Sequence, residues 1–211
     1  MDVRKTSLPG VLVVEPRVFC DSRGFFLETF SAERYAESGI HGPFVQDNWS
    51  RSVKGTLRGL HYQIQQSQGK LVQVMSGEIF DVAVDLRLDS PTFGQWEAEI
   101  LSAENKRQFY IPPGFAHGFL VLSETADFVY KCTEYYAPEH DRTLLWNDET
   151  VGVEWPPVDG LILSEKDRNG APLDKAECFP TTPEAATYAL VNRAQSTTSI
   201  QETSTRSESA T

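Results

Sequence analysis

This 211-residue sequence lacks the marks of several large protein classes. No apolar run approaches the roughly 20 residues that a membrane-spanning helix needs. The segment from Met1 to Leu8 lacks the hydrophobic stretch of a signal peptide. Its three cysteines, Cys20, Cys132 and Cys178, are scattered and form no spacing motif, which is typical of reduced thiols. We therefore expect a cytoplasmic protein with no membrane association.

The chain also has no excess of positive charge. Its formal net charge is −11 at pH 7, which argues against nucleic acid as a partner because a polyanion would be repelled. An acidic protein can still bind a small anion where Arg and Lys side chains cluster locally. We therefore expect a small-molecule ligand and no nucleic-acid partner.

The end of the chain differs in composition from the rest. Ten of the seventeen residues from Gln195 to Thr211 are Ser or Thr, and only Ile200 among them is large and aliphatic. Such a segment buries too little apolar area to offset its ordering entropy. We predict one domain over residues 1–179 and a disordered tail over residues 180–211, with one helical turn near 185–191.

The body of the chain favours β-structure. Short apolar or alternating runs, separated by Gly and Pro turn signals, predict strands. These are Val11–Val14, Phe25–Phe30, Phe44–Ser50, Leu71–Met75, Ile79–Leu86, Trp96–Leu101, Gln108–Ile111, Gly118–Leu122 and Ala126–Tyr135. Ser31 can cap one short helix that runs through Glu37 and ends at Gly39. Many short strands with almost no helix indicate an all-β sandwich or barrel.

Two of these strands carry finer predictions. The turn signal Ser76-Gly77-Glu78 predicts a hairpin between Leu71–Met75 and Ile79–Leu86. Alternation along Ile79–Leu86 puts Asp81 and Asp85 on one face and apolar residues on the other, so we predict a half-polar strand.

The stretch Arg58-Gly59-Leu60-His61-Tyr62-Gln63 carries the most chemistry. In an extended strand, side chains alternate between the two faces. Arg58 is then expected on one face and His61 on the other. One of them can lie at the mouth of a barrel and the other inside it.

A possible metal site is incomplete. The spacing Gly55-x5-His61-x-Gln63 and the turn Pro112–His117 resemble the two motifs of the cupin superfamily, a jelly-roll barrel with a few peripheral helices. Those motifs usually bind a metal through His-x-His, a downstream Glu and a histidine of the second motif. Here Gln63 replaces one histidine and no Glu follows within a dozen residues. Two imidazoles are a thin ligand set, so we predict no metal and no cofactor.

Without a metal, other groups must perform any chemistry. Alternation in Ala126–Tyr135 puts Tyr130 on the core side, where it is either a packed core residue or a phenol acting as an acid. Asp167 follows Ser164, which could cap a turn. It is either part of an exposed acidic turn or the carboxylate that orients an imidazole. The residues alone leave both choices open.

Nine segments, taken together and in order, resemble the dTDP-4-dehydrorhamnose 3,5-epimerase family. They are Arg58–Gln63, Gln68–Val72, Gly77–Asp85, Ser90–Trp96, Leu101–Arg107, Pro112–Phe119, Tyr130–Thr133, Leu145–Asp148 and Leu163–Asp167. The resemblance implies a homodimeric, metal-free cupin that inverts C3 and C5 of dTDP-4-dehydro-6-deoxy-D-glucose to give dTDP-4-dehydro-L-rhamnose. The tail after residue 180 has no counterpart in the family pattern.

The resemblance also implies roles for individual residues. It makes His61 the base, Asp167 its partner, Tyr130 the acid on the opposite face of the sugar, and Lys70 the cation near the C4 oxygen. It assigns the remaining contacts with sugar, nucleotide and diphosphate to Arg23, Glu28, Gln46, Asp47, Asn48, Arg58, His117, Asp141 and Lys166.

Two other functions stay open at this stage. One is epimerisation at C3 or C5 alone, or on another 4-keto nucleotide sugar, because small pocket changes redirect such enzymes. The other is a non-catalytic cupin that binds a sugar nucleotide. Loss of His61 or Tyr130 would mark the second of these, and both residues are present.

Overall fold

The computed structural model describes residues 1–180. Its strands are β1 Asp2–Lys5, β2 Leu12–Glu15, β3 Val18–Asp21, β4 Gly24–Leu27, β5 Gln46–Val53, β6 Leu57–Gln63, β7 Lys70–Ser76, β8 Glu78–Asp85, β9 Trp96–Ser102, β10 Gln108–Ile111, β11 Phe115–Val121, β12 Thr125–Cys132 and β13 Asp141–Thr143. The helices are α1 Ala32–Glu37 and α2 Glu165–Arg168, with a 3₁₀ turn at Pro138–His140. The predicted tail and its helical turn lie outside the described residues.

Two sheets form the body of the protein. One has the strand order β1-β2-β10-β7-β12-β5 and the other β13-β6-β11-β8-β9, while β3 and β4 form a separate two-stranded hairpin. The ladders within both sheets are antiparallel. This arrangement confirms the all-β jelly-roll barrel with short peripheral helices.

An apolar core fills the space between the sheets. Alternate residues of facing strands supply it, such as Val72 from β7, Phe119 from β11 and Phe128 from β12. The rings of Phe119 and Phe128 have centroids 4.4 Å apart. The pleat that sends Val72 inward sends Leu71 outward, where it packs in a second cluster with Tyr35 of α1.

The predicted hairpin at Gly77 is wrong. β7 belongs to the six-stranded sheet and β8 to the five-stranded sheet, so the turn carries the chain from one sheet to the other. Gly77 has φ +80°, and a Cβ there would lie 2.1 Å from the carbonyl oxygen of Thr125. A turn signal reports the local bend, whereas the pairing partner depends on distant strands.

β8 also differs from the half-polar strand that alternation predicts, because both of its faces are largely covered. Its apolar face, including Val82 and Val84, packs against a C-terminal segment that ends at Phe179. Its polar face points into the barrel, where Asp81 and Asp85 are fully buried.

Arg58 and His61 lie on the same side of β6, against the expectation from simple alternation. His61 pairs with His117 of β11 and Arg58 pairs with Phe119, so three steps along β6 match two steps along β11. Directly paired residues of an antiparallel ladder point to the same side, and Phe119 lies in the interior core. The extra residue is a β-bulge, which restores both side chains to the inner face.

Glycine makes this bulge possible. Gly59 has φ +125°, and a Cβ there would lie 2.5 Å from the Cα of Gly118 and 2.8 Å from the carbonyl oxygen of His117. A side chain at position 59 would therefore both strain the backbone and collide with β11.

Strand and helix ends shift by a few residues from those predicted. β4 ends at Leu27 rather than Phe30, and β12 ends at Cys132 rather than Tyr135. α1 begins after Ser31, as expected, but the Ser31 side chain makes no capping hydrogen bond.

Candidate active site

A group of polar side chains lies among the apolar residues inside the barrel. They come from six strands and α2, on both sheets. The members are Asn48, Arg58, His61, Lys70, Asp81, His117, Tyr130 and Asp167. Arg58 is exposed and lies at the edge of this group, where its Nε donates a 3.0 Å hydrogen bond to Ser52 Oγ of the opposite sheet.

His61 and Asp167 form the closest pair. His61 Nε2 lies 2.6 Å from Asp167 Oδ1. The imidazole remains 31% exposed, whereas the carboxylate is 4% exposed. The structure thus brings into contact two side chains that family resemblance paired, although 106 positions separate the two residues.

The start of α2 holds Asp167 in place. Ser164 is the N-cap of the helix, as expected, and its hydroxyl accepts a hydrogen bond from the Asp167 amide and donates one of 2.6 Å to Oδ2. The Gly59 amide donates a third, 3.2 Å bond to Oδ1.

Burial raises the pKa of Asp167, but the hydrogen bonds from His61, Ser164 and Gly59 outweigh it, so the net pKa lies below its ordinary value. Asp167 is therefore a carboxylate, which accepts the Nε2 proton of His61 and leaves Nδ1 as the basic nitrogen.

Tyr130 enters the interior from the opposite sheet. Its ring packs on Phe128 at 5.4 Å between centroids. Its hydroxyl makes no hydrogen bond with any residue of the described range 1–180, whereas a buried core tyrosine usually finds a partner. Burial is the main cause that raises the pKa of Tyr130, while the Arg58 guanidinium opposes it. The phenol therefore stays protonated at neutral pH and is available as a donor.

Lys70 brings a cation into the same space. It shares the inward side of β7 with Val72, and within residues 1–180 its ammonium forms no ion pair or hydrogen bond. Burial lowers the pKa of Lys70, and the charges of Asp141 and Asp81 are among those that oppose the shift. A partly buried cation without a fixed counter-ion is suited to an oxygen that gains negative charge.

His117 and Asp81 form a second imidazole–carboxylate pair. His117 Nε2 lies 2.9 Å and 3.1 Å from the two Asp81 oxygens, and both side chains are buried. Sequence reasoning singled out His117 but missed Asp81. The signal was present, since a carboxylate in the middle of an apolar strand must find a partner if its face is buried.

Residues 5–175 match the family model described as dTDP-4-dehydrorhamnose 3,5-epimerase. The chain belongs to this family. A protein of that name from Pseudomonas aeruginosa is 58% identical over 181 residues, which cover 85% of this chain and 100% of the relative. Another, from Methanothermobacter thermautotrophicus, is 56% identical and covers 80% of this chain and 92% of the relative.

Solved structures agree with the sequence comparison. A dTDP-6-deoxy-D-glucose-3,5-epimerase from Legionella pneumophila, in complex with dTDP-4-keto-L-rhamnose, has a TM-score of 0.82 and 55% identity, covering 83% of this chain and 94% of that one. A 3'-monoepimerase from Streptomyces bikiniensis, in complex with dTDP-quinovose, has a TM-score of 0.77 and 35% identity, covering 81% and 87%. The chain is therefore an isomerase of the 3,5-epimerase family.

Among the remaining contacts that the 3,5-epimerase family implies, two lie together near the mouth of the site. Lys166, next to Asp167 on α2, forms an ion pair with Asp141 of β13. Tyr136, which sequence reasoning did not select, donates a 3.1 Å hydrogen bond to the same carboxylate. The structure thus brings Asp141, Lys166 and Tyr136 together beside the strand that bears His61.

The run Gln46-Asp47-Asn48 is divided between the two faces of β5. Asn48 pairs with Tyr130 in the ladder and so faces inward, and Gln46 Nε2 donates a 3.0 Å bond to Asn48 Oδ1. The Asp47 side chain points to the outer face, where it pairs with Lys131 at 2.9 Å.

The structure does not bring Arg23 and Glu28 to the interior cluster. Arg23 is at the tip of the β3–β4 hairpin, where it pairs with Asp21. Glu28 follows that hairpin and pairs with Arg34 of α1. The hairpin also exposes Phe25 and Phe26, at 61% and 71%.

Gln63, which occupies a cupin ligand position, is fully engaged in the fold. Its Nε2 donates to the carbonyls of Gln66 and Tyr135, and its Oε1 accepts from the Ala137 amide at 2.9 Å. In residues 1–180 no three His, Cys, Asp or Glu side chains form a group that could hold a metal ion. The same part of the chain contains no helix long and apolar enough to cross a membrane.

Proposed function

We propose that this chain inverts C3 and C5 of dTDP-4-dehydro-6-deoxy-D-glucose to give dTDP-4-dehydro-L-rhamnose, by proton transfer between His61 and Tyr130 through an enolate. One observation carries the proposal. The His61–Asp167 pair and the unpartnered Tyr130 hydroxyl enter one interior space from opposite sheets. Inversion needs a base on one face of the sugar and an acid on the other, and this arrangement supplies both.

The base is Nδ1 of His61. Both inverted carbons are α to the C4 ketone, so each proton can leave if the enolate is stabilised. Asp167 holds the Nε2–H tautomer and stabilises the imidazolium that forms when Nδ1 takes the proton. Histidine suits this role because an imidazole can both accept and donate a proton.

Lys70 stabilises the enolate. Negative charge moves from the reacting carbon to the C4 oxygen as the proton leaves. An ammonium group beside that oxygen interacts more strongly with the enolate than with the ketone, which lowers the barrier. The absence of a competing carboxylate bonded to Lys70 within residues 1–180 leaves it available for this contact.

Tyr130 returns a proton to the opposite face. The C–H bond that it forms has the inverted configuration. His61 then holds the abstracted proton and Tyr130 lacks one, so the pair must exchange protons with solvent before the second carbon reacts. The partial exposure of His61 permits that exchange.

Cationic side chains at the mouth of the barrel bind the diphosphate. We assign this role to Arg58 and Lys166, with Arg58 able to offer a bidentate guanidinium. Asn48 and Gln46 contact the sugar or nucleotide.

The chain acts as a homodimer in this proposal. Arg23 and Glu28 lie on or next to an exposed hairpin that pairs with neither sheet, so we assign them to the site of a second copy. The exposed Phe25 and Phe26 supply apolar area for that contact.

Proton NMR of dTDP-4-keto-6-deoxyglucose with the enzyme in D2O tests the reaction. Deuterium at both C3 and C5, with rhamnose-configured product, is expected. Deuterium at one carbon only would support epimerisation at a single carbon. This alternative is considered because one similar structure, 35% identical, is a 3'-monoepimerase. No deuterium at either carbon would support a binding protein and contradict the proposal.

Mixing two inactive variants tests the shared site. Arg23→Ala and His61→Asn are each expected to lose turnover. Mixed dimers formed by co-refolding should regain activity, because one of their sites combines an intact hairpin with an intact barrel. Two His61→Asn preparations with different tags, mixed in the same way, are the control. No recovery in the first mixture would place Arg23 outside the shared site.

A further inference from the structure

Asp81 is a buried carboxylate that the reaction scheme above leaves without a role. It is fully buried inside the barrel, and the described residues offer its carboxylate one hydrogen-bonding partner, the His117 ring. A buried charge of this kind is costly, and an apolar pair of similar volume would stabilise the barrel as well or better. Packing alone therefore does not explain why it is there.

Asp85, four residues along the same inward face of β8, shows the contrasting structural case. It is equally buried, but it accepts hydrogen bonds from the Arg87 guanidinium, the Arg87 amide, Ser90 and Thr92. These bonds tie down the segment between β8 and β9. Asp81 fixes no loop in this way, since its partner His117 lies on the neighbouring strand β11.

The position of the His117 imidazole points to the site. His117 is directly opposite His61 in the β6–β11 ladder, so the two rings project from adjacent positions into the same interior. Its Nε2 is taken by Asp81, whereas its Nδ1 makes no hydrogen bond with any residue in the described range 1–180. Lys70 reaches the same interior from the facing sheet, and its charge interacts with both Asp81 and His117.

We propose that Asp81 is a positioning residue for the epimerisation: it fixes His117 as the Nε2–H tautomer with Nδ1 turned to the substrate, and its negative charge keeps Lys70 as an ammonium ion beside the C4 oxygen. This inference rests on the proposed function. The site then has two imidazole–carboxylate pairs with different tasks. The His61–Asp167 pair transfers protons, and the His117–Asp81 pair positions the groups around the C4 oxygen.

The charged state of Lys70 explains why a carboxylate is needed. Burial is the largest influence on Lys70, His117 and Asp81, and it favours the neutral form of each: it lowers the pKa of Lys70 and His117 and raises that of Asp81. The groups that act on Lys70 are Cys132 of β12, Asp141 of β13, Asp81 of β8, His117 of β11 and Lys166 of α2. Asp81 opposes the loss of the Lys70 proton, so its removal favours neutral Lys70.

The test compares Asp81→Asn with the matched control Asp85→Asn. The pKa of Lys70 is lowered and that of Tyr130 is raised. In a plot of kcat against pH, the decrease on the alkaline side should therefore report the loss of the Lys70 proton. Asp81→Asn is expected to lower kcat at least ~10-fold and to move the alkaline limb down by roughly one pH unit. Asp85→Asn should lower thermal stability and leave the pH of the alkaline decrease in kcat unchanged.

A measurement on the wild-type protein keeps the proposal testable even if Asp81→Asn does not fold. In ¹⁵N-histidine NMR, His117 should show a protonated Nε2 and an unprotonated Nδ1 from pH 6 to 9. The opposite tautomer would overturn the proposal. An Asp81→Asn enzyme that keeps the wild-type alkaline limb would overturn it too, since Asp81 would then be structural. Wild-type exchange at C3 and C5 is measured alongside, so failure of the reaction itself is distinguished from failure of this role.

Discussion

The Nε2 atom of His61 lies 2.6 Å from Oδ1 of Asp167, which itself receives hydrogen bonds from Ser164 and from the Gly59 amide. The carboxylate is thus held from both the helix that bears it and the strand that bears the histidine. His61 can rotate little without losing its partner, so the direction of Nδ1 is set by the fold.

Deuterium exchange should distinguish the role of the acid, Tyr130, from that of the base, His61. Tyr130→Phe removes one hydroxyl that makes no hydrogen bond within residues 1–180, so packing should be almost unchanged. His61 can still remove a proton and return one to the same face. We expect Tyr130→Phe to retain deuterium exchange while losing inverted product more severely.

His61→Asn is the matched comparison. It keeps a polar group but removes the base, so both exchange and product should fall by at least ~10²-fold. Both variants are followed by NMR in D2O. Rhamnose-configured product at the wild-type rate from Tyr130→Phe would make Tyr130 a core residue and assign the acid to another group.

Asp167 should make stability depend on pH at the acid end. Its pKa is lower in the folded protein than its ordinary value, so its contribution is present at higher pH and is lost as the pH falls through the folded pKa. Asp167→Asn should therefore lower the free energy of unfolding near pH 7 and have a smaller effect at strongly acidic pH.

Urea unfolding of both proteins across that range measures this difference. Ser164→Ala, which removes one of the three hydrogen bonds, should show the same trend with a smaller amplitude. An Asp167→Asn effect that stays constant with pH would mean that the carboxylate charge contributes nothing to folding.

Gly59→Ala should damage the site through the backbone. The added methyl would lie 2.5 Å from the Gly118 Cα at a φ of +125°, so β6 must move away from β11. This movement would occur at the bulge that directs the His61 side chain to the inner face. We expect a loss of at least ~2 kcal/mol in the free energy of unfolding together with loss of turnover.

Gly160→Ala is the control for positive φ without a collision, since φ is +72° and nothing lies within 4 Å of the added atom. It should cost about 1 kcal/mol and retain activity. Equal destabilisation of the two variants, measured by urea unfolding, would contradict the expected collision between a side chain at position 59 and β11.

Chelation should leave activity intact. The side chain of Gln63 is occupied by three backbone partners, so the usual cupin ligand set is incomplete. Turnover after exhaustive EDTA treatment and dialysis is expected to equal that of the untreated enzyme. Loss of activity that a divalent ion restores would contradict the metal-free mechanism.

The sequence by itself determined the β-rich architecture, and through family resemblance it selected the three residues to which we assign the proton transfer. Apolar alternation and Gly/Pro turns are local properties, so strands such as Gln108–Ile111 could be placed to the residue. His61, Tyr130 and Asp167 followed from long motifs in a fixed order, because no spacing rule links them.

The tertiary structure decided which side chains share the interior. Gly77 marked a bend, but only long-range pairing could place β7 and β8 in different sheets. Arg58 and His61 share a face because β11 imposes a bulge at Gly59, and simple alternation cannot foresee a bulge. Asp81 is buried in the barrel interior, and the other face of β8 is covered by the segment ending at Phe179. Each of these outcomes depends on contacts between residues far apart in the chain, which local periodicity does not encode.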